Sequence, residues 1–131
     1  MKIVDVEAIV LDSGIEYGAP ESGAESAGVR HCLLLKVVTD AGIVGWSDIE
    51  TAPHVAAAAV AAPATGSGMF EGLRALAVGE DPFAVERLWD KVYRGTAYYG
   101  RRGVAIQLLS GLDIACHDIM GKAVGRPVHQ L

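Results

Sequence analysis

The order of the hydrophobic patterns predicts an α+β fold, in which a three-stranded antiparallel meander is followed by a helical bundle. In the first third of the 131-residue chain, apolar side chains recur at every second position, which is the spacing of strands with one buried face. Farther along they recur at intervals of three and four residues, which is helical spacing. Because the strands come first and the helices follow, the two kinds of element should form separate layers of one domain.

The first predicted strand spans residues 2–11 and is followed by an unusually long connection. One set of its side chains should share a face because its members are two residues apart: Val4, Val6, Ala8 and Val10. The connection, residues 12–28, is rich in glycine and has only Ile15 and Tyr17 as large apolar side chains. Because hairpin loops usually need ~2–5 residues, two interpretations stay open, a mobile flap over a ligand and a plain surface excursion.

The second predicted strand spans residues 29–39 and should lie in the middle of the sheet. Its centre, Leu33-Leu34-Leu35, is apolar on both faces, as expected for a strand that is covered on both sides. The segment Thr39-Asp40-Ala41-Gly42 predicts a tight turn in which Gly42 supplies a positive φ. The third strand, residues 43–49, follows directly and completes the meander.

Four helical segments are predicted after the strands: residues 53–62, 69–78, 81–94 and 102–124. The third should begin with Asp81 as its N-cap and Pro82 as its first helical residue. Its apolar side chains fall on one stripe, which we assign to the core rather than to a binding surface: Val85, Leu88, Trp89, Val92 and Tyr93.

The fourth predicted helix has two adjacent apolar rows and should be buried on more than one side. One row consists of Val104, Leu108, Leu112, Ala115 and Ile119, and the other of Leu109, Cys116, Met120 and Ala123. On its polar side, Asp113 precedes His117 and Asp118 precedes Lys122 by four residues, the spacing of favourable ion pairs. We interpret these four residues as a helix face, with a role in a site as the alternative.

The composition excludes several classes of function. The net charge is −5 and the basic residues are scattered, which argues against nucleic acid as the partner. The longest apolar run, residues 55–62, is far shorter than the ~20 residues that cross a bilayer. The N-terminus lacks the apolar region of a signal peptide, so we expect no membrane association and a cytoplasmic location. Cys32 and Cys116 are expected to be small buried side chains.

Sequence motifs for catalysis and for metal binding are absent from the chain. It contains neither a G-x-S-x-G nucleophile elbow nor a G-x-x-x-x-G-K-[ST] phosphate loop. Its four histidines do not have the spacing of zinc ligands. Asp48 and Glu50 lie on one face of the third strand but could supply only two oxygens, too few for a magnesium ion. We therefore assign no catalytic residue and no metal ligand within this chain, which indicates a part of a larger enzyme.

Several stretches, taken in order, resemble one family of enzymes. They are Met1-Lys2-Ile3 and residues 37–46 (VVTDAGIVGW), 79–83 (GEDPF), 88–94 (LWDKVYR), 100–103 (GRRG) and 109–128 (LSGLDIACHDIMGKAVGRPV). Together they resemble the N-terminal capping domain of the mandelate racemase / muconate lactonizing enzyme branch of the enolase superfamily. The chain departs from the family pattern at Cys116-His117, where relatives often have an aliphatic residue and a tryptophan, and this difference concerns the packing of the helix interior.

The resemblance implies that residues 1–131 are an enolase-like capping domain whose own C-terminal TIM barrel, of ~250 residues, is expected to follow Leu131. In that family the barrel holds Mg²⁺ and the bases. A base removes the proton next to a substrate carboxylate, and Mg²⁺ stabilises the resulting ene-diolate. Mg²⁺ is thus the implied cofactor, bound outside this chain, and a homo-oligomer is the implied assembly.

The resemblance also assigns two loops, residues 12–28 and 50–54, to closure over a small carboxylate substrate such as a sugar acid. Closure would exclude water and orient the substrate. Candidate substrate-binding residues on or beside these loops are Ile15, Glu16, Tyr17, Arg30 and Thr51. The side chains of Ile15 and Tyr17 would cover the substrate. The other three would meet its polar groups, and the alternative for each is an ordinary solvated residue.

The segment from Tyr98 to Gly103 is similar to acid-sugar dehydratases and to racemase-like members of the family, and we predict a dehydratase that acts on a sugar acid. A racemase, an epimerase or a cycloisomerase is the alternative reaction. A different class also stays open, in which a truncated chain is a non-catalytic module that binds a partner through bare apolar helix surfaces.

Overall fold

A computed structural model describes residues 1–17 and 28–131 of the chain, and it confirms the predicted fold class. The elements are β1 (Ile3–Tyr17), β2 (Gly28–Thr39), β3 (Val44–Ile49), α1 (Pro53–Ala61), α2 (Leu73–Ala77), α3 (Val85–Gly95), α4 (Val104–Val124) and a short 3₁₀ helix (Val128–Gln130). In the described part of the chain, the strands form one antiparallel sheet in the order β1-β2-β3. The prediction that the second strand is central is therefore confirmed, and Gly42 has the expected positive φ of 74°.

The hairpin of β1 and β2 is longer than the sequence predicted. Residue pairing continues to Glu16 opposite Val29 and Tyr17 opposite Gly28, with an irregular register between Asp12 and Glu16. The prediction of a connection over residues 12–28 is therefore wrong at both ends, because pairing between the two strands overrides the weak strand propensity of glycine and serine. The remainder of that connection, residues 18–27, lies outside the described residues.

A β-bulge near the start of β1 changes which side chains are buried. The register shifts between Ile3 and Asp5, so that Ile3 and Val6 are buried while Val4 is 47% exposed. Val4 was predicted to share a face with Val6, and this is wrong because the extra residue interrupts the two-residue alternation. The backbone of Ile3 also pairs with the segment before α3, donating to the Glu80 carbonyl and accepting from the Gly79 N–H, both at 2.8 Å.

The core lies between the sheet and α4, and glycines on both elements allow them to approach closely. A Cβ at position 45 on β3 would lie 2.2 Å from the Ala115 carbonyl oxygen, and one at position 111 on α4 would lie 2.3 Å from Ile49 Cδ1. The helix is long and apolar enough to cross a membrane by length and composition, yet 50% of that stretch is buried inside the fold. It is a core helix, as its two apolar rows predicted.

Three predicted helix boundaries are corrected by local contacts. The third helix begins at Val85 rather than at Pro82, because the Asp81 carboxylate accepts the Phe83 N–H at 3.1 Å and forms a separate turn. The second helix is shorter than residues 69–78 because the chain up to Phe70 forms a loop around the Glu71 carboxylate. The fourth begins at Val104, after Gly103 with its positive φ of 61°.

Two predictions of burial are corrected as well. Trp89 is 42% exposed and stacks on Tyr93 with ring centroids 5.0 Å apart, so the core stripe of α3 is narrower than predicted. Leu88 and Val92 are buried as expected. Cys116 is fully buried as predicted, whereas Cys32 is only partly buried.

Candidate functional site

A cavity of about 280 Å³ lies where β2 and β3 separate. The last residue pair between these strands is Leu33 opposite Ile49, after which the chain leaves the sheet and enters α1 at Pro53. The cavity is lined by His31, Cys32, Asp48, Ile49, Glu50 and Thr51. Because β1 and β2 continue to pair beyond the end of β3, the cavity lies at the base of the extended hairpin.

Thr51 is the predicted site residue that the structure places in this cavity. Its Oγ1 is buried and has no hydrogen-bond partner among the described residues. A buried hydroxyl without a partner costs ~1–3 kcal/mol, so such groups are rare in folded proteins unless something binds them. The role of this hydroxyl in binding a ligand stays a prediction.

The other predicted site residues lie on the extended part of the hairpin. Ile15, Glu16 and Tyr17 belong to β1, and Arg30 belongs to β2. Their side chains are outside the described part of the structure, so their contacts with the cavity stay predictions. The backbone register alone places their positions beyond the end of β3, at the end of the sheet where the cavity lies.

A pair of histidines adjoins the cavity. His31 on β2 and His54 in the first turn of α1 have ring centroids 5.1 Å apart and an interplanar angle of 72°. This contact joins the base of the hairpin to the beginning of α1. Sequence reasoning considered these residues only as zinc ligands and missed the pair, because the contact depends on where α1 packs. One sequence signal could have found the pair. If the register of β2 and β3 is extended by two residues, position 31 lies opposite position 51, close to His54.

The charge of the cavity is negative. Asp48 and Glu50 line it, both are exposed, and they lie on one side of the strand as predicted. No lysine or arginine is among the described residues that line it. Asp12, directly opposite His31 in the β1–β2 ladder, adds another carboxylate near the base of the hairpin.

The residues that the structure describes do not include a set that could bind Mg²⁺. No three histidine, cysteine, aspartate or glutamate side chains lie close enough there to hold a metal ion. Asp48 and Glu50 alone cannot supply the oxygen ligands that Mg²⁺ requires. These residues therefore do not form a magnesium site of their own.

A second feature, away from the cavity, is a loop held by the carboxylate of Glu71. This carboxylate accepts hydrogen bonds from the N–H of Thr65 at 2.5 Å, from its hydroxyl at 3.0 Å and from the N–H of Gly68 at 3.1 Å. These donors stabilise the charged form, chiefly the Thr65 and Gly68 N–H groups, and lower the pKa of Glu71. The Tyr99 hydroxyl donates to the Glu71 carbonyl at 2.6 Å, while Phe70 and Tyr98 contact each other with centroids 4.4 Å apart.

Comparison with known families and curated proteins identifies related sequences. Residues 6–131 match the family model of the mandelate racemase / muconate lactonizing enzyme N-terminal domain. A D-galactonate dehydratase family member of Streptomyces bingchenggensis is 36% identical over 102 residues, covering 78% of this chain and 23% of the relative. The arabinonate dehydratase of Saccharolobus solfataricus is 48% identical over 59 residues, covering 45% of this chain and 16% of the relative. The chain thus spans less than a quarter of the length of these relatives.

Solved structures share the fold across nearly the whole chain. An isomerase from Streptomyces coelicolor A3(2) matches with a TM-score of 0.71 and 27% identity, over 98% of this chain and 31% of that one. The 3,6-anhydro-D-galactonate cycloisomerase from Zobellia galactanivorans matches with a TM-score of 0.72 over 95% of this chain and 29% of that one. Its identity of 22% supports a shared fold alone.

Proposed function

This chain belongs to the mandelate racemase / muconate lactonizing enzyme family, and on that premise we propose that it is the capping and specificity domain of an acid-sugar dehydratase. The larger enzyme would depend on Mg²⁺ and would remove a proton next to the substrate carboxylate. The observation that carries this proposal is the cavity at the base of the extended hairpin, where the buried Thr51 hydroxyl lacks a partner among the described residues.

The proposal divides the work between two domains. Residues 1–131 form the cap, and a C-terminal TIM barrel would hold Mg²⁺ and the groups that move the proton. This division is supported by the short share of the relatives that the chain spans. The full protein would be a cytoplasmic homo-oligomer.

The residues of this chain would bind and enclose the far end of the substrate. The Thr51 hydroxyl, which has no hydrogen-bond partner among the described residues, would form a hydrogen bond with a substrate hydroxyl. Ile15 and Tyr17 would cover the substrate, while Glu16 and Arg30 would meet its polar groups. Closure of the hairpin would exclude water and hold the substrate in the orientation that proton removal requires.

Sequence similarity favours a dehydratase over the other reactions of the family. The relatives that are 36% and 48% identical are named as dehydratases of sugar acids. The solved structures named as isomerases or cycloisomerases are less similar, at 22–27% identity. A racemase, an epimerase or a cycloisomerase is therefore the second candidate.

The test is a substrate screen of the full-length protein with Mg²⁺ against a panel of sugar acids. A dehydratase converts a sugar acid into a keto acid, which semicarbazide detects, and EDTA should abolish the reaction. Exchange of the proton next to the carboxylate for deuterium without keto acid would indicate a racemase or an epimerase instead. If the panel showed neither reaction, or if the gene ended at Leu131, the dehydratase proposal would fail and a non-catalytic module would be favoured.

A further inference from the structure

We infer that one face of α3 binds the same face of a second copy of this chain, with the two helices antiparallel. We call this surface, which consists of Trp89, Asp90, Tyr93 and Arg94, the α3 face. The inference names a contact surface for the homo-oligomer that is part of the proposed function. It involves neither the reaction nor the substrate, so either proposal can fail without the other.

The α3 face has an exposed aromatic surface. Trp89 is 42% exposed, and its ring stacks on that of Tyr93 with centroids 5.0 Å apart and an interplanar angle of 14°. Leu88 and Val92, on another side of the helix, are buried in the core. Two nearly parallel rings offer a broad contact area at a low cost in side-chain entropy. Tryptophan, tyrosine and arginine are also the residues that most often dominate binding at protein interfaces.

The charges beside these rings make the α3 face complementary to itself. Asp90 and Arg94 lie four residues apart and contact each other at 2.9 Å, with side chains that are 55% and 76% exposed. In an antiparallel pair of helices with a two-fold axis midway between these residues, the Asp90 carboxylate of each copy lies near Arg94 of the other. A two-fold interface requires this reciprocity. Exchanging the pair within each helix for one between the copies loses little, because exposed pairs at this spacing are weak.

The other basic side chains of α3 do not oppose this arrangement. Arg87 and Lys91 both bind the Glu80 carboxylate, at 2.5 and 2.7 Å, and are thus held towards the segment that precedes the helix. The antiparallel arrangement would also bring the end of α3 beside Phe83 to the end beside Tyr98 in the other copy. These two aromatic side chains are 43% and 72% exposed, and exposed apolar surface of this kind marks interaction sites.

The test measures self-association of the full-length protein by sedimentation equilibrium at low salt, without substrate. Asp90→Lys and Arg94→Glu should each raise the dimer Kd at least about tenfold, because like charges then face each other across the two-fold axis. Mixed in equal amounts, the two variants should associate again, because one copy then has only positive charges at these positions and the other only negative ones. Trp89→Ser should raise Kd as well.

The matched control is Glu7→Lys, which also reverses a charge in an exposed ion pair, that with Lys36 on the sheet, and should leave Kd unchanged. Circular dichroism checks that each variant is folded. Recovery on mixing cannot come from repaired folding, because neither chain is altered by the mixing.

Three results would overturn the inference: an unaltered protein that stays monomeric, charge reversals that leave Kd unchanged, or a mixture that stays as dissociated as its components. Should the charge variants fail to fold, Trp89→Ser decides, and an unchanged Kd for that variant counts against the α3 face. A substrate screen without activity would overturn the proposed function and leave this inference standing.

Discussion

The carboxylate of Asp118 on α4 accepts a hydrogen bond from the backbone N–H of Trp46 on β3, at 3.0 Å. Lys122, one helical turn farther along, donates to the Val44 carbonyl at 2.8 Å and to Asp118 at 2.5 Å. Asp118 and Lys122, which the sequence predicted as an ion pair on a helix face, thus form hydrogen bonds with backbone groups at the edge of the sheet. An open strand edge is a place where other chains can pair, and side chains that occupy it limit such pairing.

Replacing Asp118 by alanine should destabilise the chain by about 0.5–1.5 kcal/mol, because the exposed Trp46 N–H loses a charged acceptor. The matched control is Asp90→Ala, which breaks the exposed pair with Arg94, also four residues apart on a helix. That pair contacts no strand, so the control should cost less than about 0.5 kcal/mol. Urea unfolding of both variants measures the difference, and equal costs would contradict this role for Asp118.

The lowered pKa of Glu71 predicts a pH dependence of stability. A carboxyl whose pKa is lower in the folded state stabilises the fold above its ordinary value of 4.5, and this contribution is lost as the pH falls through the folded-state pKa. The Glu71→Gln variant should therefore lose less stability than the unaltered chain between about pH 5 and pH 3. Glu80, whose pKa is also lowered, chiefly by Lys91, is present in both proteins and does not affect the comparison.

Unfolding free energies measured across this pH range test the prediction. Glu86→Gln, on the exposed side of α3, serves as the control for replacing a glutamate and should follow the unaltered chain. A Glu71→Gln curve that runs parallel to the unaltered one would show that the hydrogen bonds from Thr65 and Gly68 do not stabilise the charged carboxylate.

Thr51→Val should separate binding from stability. In the full-length enzyme it should raise KM by about three- to tenfold, the value of one neutral hydrogen bond. The stability should stay the same or increase, because the variant removes a buried hydroxyl that has no partner among the described residues. Thr96→Val is the control, since its buried hydroxyl donates to the Val92 carbonyl at 2.9 Å. The Thr96→Val variant should lose stability and keep the KM of the unaltered enzyme. If Thr51→Val instead lowered stability and left KM unchanged, the substrate would bind elsewhere.

The two cysteines should differ in reactivity. Burial, followed by the nearby charges of Asp113 and Asp81, raises the pKa of Cys116 to about 12. At pH 8 its thiol should stay protonated and inert, while the partly buried Cys32 should react with a disulfide reagent. The folded chain should therefore release one equivalent of chromophore and the unfolded chain two. Two rapid equivalents in the folded state would contradict the placement of Cys116.

The sequence was informative where neighbouring residues decide the structure. The apolar centre of β2, the turn at Gly42 and the two apolar rows of α4 are local patterns, and each predicted its element correctly. The bulge at Val4, the late start of α3 and the contact between His31 and His54 depend on strand register and on side-chain contacts across the fold. No spacing along the chain encodes the bulge or the start of α3, and the register of β2 and β3 was the one signal for the histidine contact.

The candidate site, too, was only partly predictable from the sequence. Thr51 could be chosen because the family resemblance assigns the loop after the third strand to closure over a substrate. That its hydroxyl is buried without a partner among the described residues is visible only once the sheet and helices are packed. The carboxylates of Asp48 and Glu50 were considered as metal ligands and set aside. That they line a cavity follows from the packing of the strands and α1 and not from their spacing in the sequence.

The hairpin that continues past the end of β3 has a consequence for how relatives of this chain can diverge. Its outer part is paired only between β1 and β2, since the last partner that β3 offers is Ile49. Pairs of residues could be inserted or deleted there without repacking α4 on the sheet. Evolution could thus alter the length of this hairpin while the supporting scaffold stayed the same.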